Sequence, residues 1–192
     1  MINIRLFSEK IKEKENKLLK NEESIKNILM AIKSNPKFIG LINNSLNSIE
    51  KLISTNNLDI YYNIYKFIEL DGISILTNII HKNSDKELMT KAINILSRFI
   101  IYKAGSNIEL YKLFVQHSGH SIILPFLVYI KDEHIIKIIL LIIYKLVEKE
   151  EILNIVIDSN LIGCIQFLND SDEIKLEIKN MLFKILAKTT SI

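Results

Sequence analysis

The chain has no tryptophan, one cysteine, two prolines and five glycines in 192 residues. Each scarcity closes a class. A lone Cys164 has no partner for an intramolecular disulfide, so a reducing, cytoplasmic setting (or a nuclear one) is expected. It stands in an apolar run and reads as a buried thiol rather than a nucleophile. The glycines are scattered, with no G-x-x-x-x-G-K, G-x-G-x-x-G or G-x-S-x-G, so neither a phosphate-cradling loop nor a nucleophile elbow is present. The most apolar stretch, residues 135–147, is interrupted by Lys137 and Lys145 and is too short to span a bilayer. The opening MINIRLFSEKIKEKENKLLK lacks the continuous apolar core of a signal peptide, and no membrane insertion is expected. A net charge of +3, without a dense basic stripe, disfavours a nucleic-acid partner.

What the chain does have is a period. Lys51, Arg98 and Lys145 stand at intervals of 47 residues. Leu41, Leu88 and Ile135 keep the same interval, as do Ile49, Leu96 and Ile143, and Leu52, Phe99 and Leu146. Gly72 maps onto Gly119. With so little glycine and proline, helix is the default, and strand alternation is nowhere sustained. A period of this length with apolar positions kept marks a helical solenoid. Function is then expected on a repeated surface.

Each repeat divides into three helices. In the second, YYNIYKFIELD is a short first helix, GISILTNIIHKN a second and residues 85–103 a long third, with Leu88, Ala92, Ile95, Leu96, Phe99 and Ile100 on one face. Ser84 or Asp85 is placed to cap that third helix. Gly72 and Gly119 stand where the chain turns between first and second helices and a positive φ is expected, and Asn160 takes that place later. In the third repeat, SNIELYKLFVQHS, HSIILPFLVYIKD and EHIIKIILLIIYKLVEK are the three helices. The last is apolar almost all round, as befits a helix with neighbours on most sides. The predicted division is one domain over 1–192: a capping helix in 1–21, a degenerate repeat in 22–56, repeats in 57–105 and 106–149, and a closing repeat in 150–192. In the degenerate repeat SIKNILMAIKS is the second helix, and the third runs over 36–54, entered at Pro36. Ile2, Ile4, Leu6, Phe7 and Ile11 are placed to cover the exposed end of the stack. The closing helix, 173–189, follows its predecessor at a spacing near 43, with Leu182, Ile185 and Leu186 inward and Lys179, Lys184 and Lys188 making it a polar cap.

Over residues 72–100, GISILTNIIHKNSDKELMTKAINILSRFI resembles the armadillo repeat: a Gly-led second helix, a short polar loop, and a third helix whose core is matched by Ala92, Ile93, Leu96 and Ser97. The resemblance covers most of the chain loosely. It implies an all-α, right-handed αα superhelix of about four three-helix repeats, armadillo-like rather than the two-helix HEAT type. It also implies that third helices line a concave groove, where the family often uses Trp and Asn to hold an extended peptide. The corresponding positions here are Asn47 and Lys51, Asn94 and Arg98, Leu141 and Lys145, and Lys184 and Lys188. The tryptophan and the asparagine ladder are missing, so the family's nuclear-import cargo chemistry does not carry over. A basic residue per repeat would instead attract an acidic segment, although long side chains snorkelling past a core edge produce the same pattern.

Other constellations lead nowhere. His117 and His120 flank Gly119 at a turn, short of the three or four ligands zinc takes, and no cofactor is expected. Glu148, Glu150 and Glu151 read as a solvated junction. Tyr61, Tyr62 and Tyr65 read as packing residues on a short helix, while an exposed aromatic pair there would make a second contact site. The expected function is a non-enzymatic adaptor binding an acidic or extended protein segment, with no small-molecule substrate. The alternatives are a nucleotide-exchange cofactor of Hsp70-type chaperones, loosely resembled by NSLNSIEKLISTNN and YKFIELDGISIL, and a structural subunit of a larger assembly.

Overall fold

The computed structural model describes residues 4–54, 59–82, 85–103, 108–157, 160–170 and 174–189, with side chains from residue 12 onward except 102 and 103. All regular structure among them is helical: α1 (Ile4–Ser34), α2 (Ile39–Leu52), α3 (Ile60–Glu69), α4 (Gly72–Lys82), α5 (Lys86–Ser97) continued by a π-helical turn (Arg98–Lys103), α6 (Ile108–Gln116), α7 (Gly119–Ile123), α8 (Phe126–Tyr129), α9 (Glu133–Val147), α10 (Glu150–Ile157), α11 (Leu161–Asn169) and α12 (Leu176–Thr189). Two compact units arise, Met1–Ile75 and Leu76–Ile192.

In the first unit α1 packs on α2 and α3. The predicted capping helix and second helix are one continuous helix. Ser24, which could have capped a new helix, instead bonds back to the Lys20 carbonyl at 2.8 Å and stays inside the old one. Ile25, Leu29 and Ile32 form the buried stripe of its C-terminal half. Ile2 and the side chains of Ile4, Leu6, Phe7 and Ile11 lie outside the described residues. The N-terminal half is tied by ion pairing of Lys17 with the buried Asp59 at 2.9 Å and by the Tyr62 hydroxyl, which donates to Glu22 at 2.6 Å. The next helix starts three residues after Pro36, which sits in the turn rather than at the first helical position. Tyr61 and Tyr65 are not packing residues: they are 68% and 62% exposed, and only Tyr62 is half-buried.

In the second unit the long third helices stack in order, α5 against α9 and α9 against α12. Their inward positions keep the sequence period: Ile93, Leu96 and Phe99 on α5, and Leu140, Ile143 and Leu146 on α9, are fully buried. Asp85 caps α5 by accepting from the backbone N–H of Glu87 (2.9 Å) and Leu88 (3.1 Å). Asp132, 47 residues on, does the same for α9 with His134 (2.9 Å) and Ile135 (3.3 Å). The second helix of the third repeat is broken into α7 and α8 because Pro125 has no N–H to donate and crowds the preceding turn. On α12, Ile178, Leu182 and Ile185 are buried, which supports the 43-residue offset from Ile135, Ile139 and Ile142. The polar cap is incomplete, however. Phe183, in register with the buried Leu140 and Ile93, is 58% exposed.

The turns between first and second helices revise one expectation. Neither Gly72 nor Gly119 has a positive φ. The left-handed residues are Asp71 (66°), Ser118 (56°) and Asn160 (67°), one position earlier for the first two. The glycines are demanded by contact instead. A Cβ on Gly72 would enter the ring of Phe67, and one on Gly119 the ring of Phe114, both rings being buried. In the closing repeat the aligned residues are Val156 and Leu161, both fully buried. The small residue has moved to the other side of the contact.

His120 follows this turn and is 5% exposed, with no hydrogen-bond partner for Nδ1 among the described residues. Burial pushes its pKa below the ordinary histidine value. The unfolded chain therefore takes up this proton before the folded one. The resulting stability is intact above about pH 6.5 and declines as pH falls from there toward the lowered folded value. Replacing His120 by isoleucine, the residue at the matching position 73, is expected to flatten this slope. Urea melts at about pH 7.5 and about pH 5.5 would show it, and an unchanged slope would remove His120 as the cause.

Candidate functional site

Burial on one side of each third helix leaves a stripe open on the other. On α5 and the π-helical turn that continues it, the stripe holds Glu87, Lys91, Asn94 and Arg98, and on α9 His134, Ile138, Leu141 and Lys145, each in register at 47. On α12 it holds Glu177, Met181, Lys184 and Lys188. Asn94, Arg98, Leu141, Lys145, Lys184 and Lys188 are thus all accessible in one unit, on three successive, contacting helices. Asn47 and Lys51 hold the matching positions of α2 in the first unit, half-exposed and exposed.

Charge is not spread evenly along these stripes. Toward the helix N-termini, cations are matched by anions: Lys91 with Glu87 at 3.0 Å, Lys175 with Glu133 at 2.7 Å, and Lys137 with Glu177. The last two link α9 to α12. Lys175 is correspondingly held above the ordinary lysine value by Glu133. Toward the C-terminal halves the balance is basic, with Arg98, Lys145, Lys184 and Lys188. Lys184 and Lys188 are exposed and take part in no ion pair among the described residues.

Lys145 has a defined partner on its own helix. It is half-buried and bonds Glu148, the C-cap residue of α9, at 2.9 Å. Its Nζ lies 5.6 Å from the Tyr144 ring centroid. Glu148 also raises the neighbouring Tyr144 hydroxyl above its ordinary pKa. The bond from Lys145 chiefly holds Glu148 below the usual carboxylate value, against partial burial, and that bond likewise raises Lys145. Beside them Lys149 lies 5.2 Å over the ring of buried Tyr111, whose hydroxyl donates to the Ile100 carbonyl of the π-helical turn at 3.4 Å. Glu148 is therefore part of a defined carboxylate site, whereas Glu150 and Glu151 lie in the first turn of α10, where negative charge suits the helix N-terminus.

The remaining sequence candidates stay apart. His117 is half-buried at the end of α6, separated from His120 by the left-handed Ser118, and Cys164 is buried on α11 with its thiol pushed up by burial. Among the described residues no three His, Cys, Asp or Glu side chains gather as metal ligands, and no single helix is long and apolar enough to cross a membrane.

No protein-family model and no curated protein sequence matches this one. Solved structures do. A designed armadillo repeat protein superposes with a TM-score of 0.65 at 17% identity, covering 86% of this chain, which spans 64% of that one. A second designed armadillo repeat protein, in complex with the peptide (KR)4, gives a TM-score of 0.56 at 16% identity, with 86% of this chain and 72% of that one covered. At such identities the likeness establishes the fold, an all-α armadillo-like solenoid.

Proposed function

We propose that this armadillo-like chain is a non-enzymatic scaffold that binds an acidic, extended protein segment along the accessible stripe of its third helices. Arg98, Lys145, Lys184 and Lys188 supply the charge, and Asn94 and Leu141 the contacts between. Asn47 and Lys51 are the matching positions of the first unit. The observation that carries the reading is the recurrence of a basic, accessible side chain at one register position of α5, α9 and α12. A protein of this fold holds (KR)4. Cations at the register positions of this chain would repel such a peptide and attract its acidic counterpart.

The test is a fluorescence-anisotropy titration of the protein with an unstructured Glu-Ser repeat peptide and, separately, with (KR)4. The expected result is binding of the acidic peptide that weakens steeply as salt is added, with no comparable binding of (KR)4. Equal binding of the two peptides, or a preference for (KR)4, would overturn the reading.

A further inference from the structure

The carboxylate site on α9 carries the reading one step further. An acidic ligand needs donors that accept a carboxylate, and the second unit already displays such a group in place. Glu148 accepts from Lys145 at 2.9 Å, beside the Tyr144 ring. It does so on the side chain that stands at the central rung, between Arg98 on α5 and Lys188 on α12. An i,i+3 pair at a helix C-terminus is local and partly solvated, and such pairs are worth little, so it can open readily. Once opened, Lys145 offers a cation to a ligand carboxylate.

We propose that Glu148 is an internal stand-in for the ligand: an acidic segment binds by displacing the Glu148 carboxylate, and one of its own carboxylates takes the bond from Lys145. The middle rung is thereby self-occupied in the free protein. The proposal rests on the acidic-segment reading, and the experiment separates the two.

Anisotropy titrations with the Glu-Ser peptide would compare wild type, Glu148→Gln, the charge-matched control Glu151→Gln, and the Arg98→Glu/Lys145→Glu pair. Helical circular dichroism would be recorded for each. Glu148→Gln is expected to tighten binding by about three- to fivefold. Glu151→Gln, which removes the same charge from exposed α10, is expected to change binding less. If wild type binds and the Arg98/Lys145 reversal does not, yet Glu148→Gln fails to tighten, or Glu151→Gln tightens as much, the stand-in is overturned while the acidic-segment reading survives. If the reversal binds as well as wild type, or no variant binds, the reading itself fails and the stand-in with it.

Discussion

Replacing Gly119 by leucine is expected to destabilise the protein by about 2–3 kcal/mol, through overpacking against Phe114. A Cβ at this position already enters the Phe114 ring, which is completely buried and has no open direction in which to retreat. The closing repeat places Val156 and Leu161, both fully buried, at the aligned positions. Phe114→Val alone leaves a cavity and costs about as much. Combined, the two substitutions are expected to recover a large part of both losses, because together they reproduce the pair found one repeat later. The check is a double-mutant cycle by urea denaturation, in which the coupling should reach about 2 kcal/mol. Strict additivity would mean that the ring and the glycine do not share the contact described.

The charge-reversal pair Arg98→Glu/Lys145→Glu is expected to weaken acidic-peptide binding by at least about thirtyfold at low salt. Each exposed pair contributes on the order of 1 kcal/mol or less, and reversal replaces attraction with repulsion at two adjoining rungs, so the losses accumulate. At about 1 M salt the Debye length shrinks to about 3 Å, and the gap between variant and wild type should nearly close. The helical signal should persist, since both side chains lie on the accessible side of helices anchored by Leu96, Phe99, Ile143 and Leu146. Anisotropy titrations at low and high salt, with circular dichroism alongside, make the comparison. Undiminished binding by a folded variant would remove the stripe as the site.

The period was legible because core chemistry is repetitive: a buried position tolerates only apolar residues of similar size, so Leu96 and Ile143 announce each other across 47 residues. The open stripe was legible for the same reason, as the complement of the buried one. Capping by Asp132 could have been read from Asp85 at the same interval, and the break of α7 from α8 from Pro125 inside an apolar helical pattern. The continuity of α1 was harder, because Ser24 has two local options and the choice depends on packing of Ile25 and Leu29 against the rest of the unit. The glycine turns were misread in mechanism: a conserved-looking spacing of Gly72 and Gly119 suggests backbone conformation, while the demand comes from an aromatic ring five residues earlier. The carboxylate site was visible only in part. The spacing of Lys145 and Glu148 permits a pair, but its position beside the Tyr144 ring follows from the rotation of the helix end.

The central claim is that one register position of the third helices forms the binding face. Chemical-shift mapping of the isotope-labelled protein with the Glu-Ser peptide tests it most directly. The account predicts perturbations concentrated at Asn94, Arg98, Leu141, Lys145, Lys184 and Lys188, with Glu148 among the largest. Perturbations confined to Tyr61 and Tyr65, or to the exposed Phe183 side of α12, with the stripe silent, would contradict it.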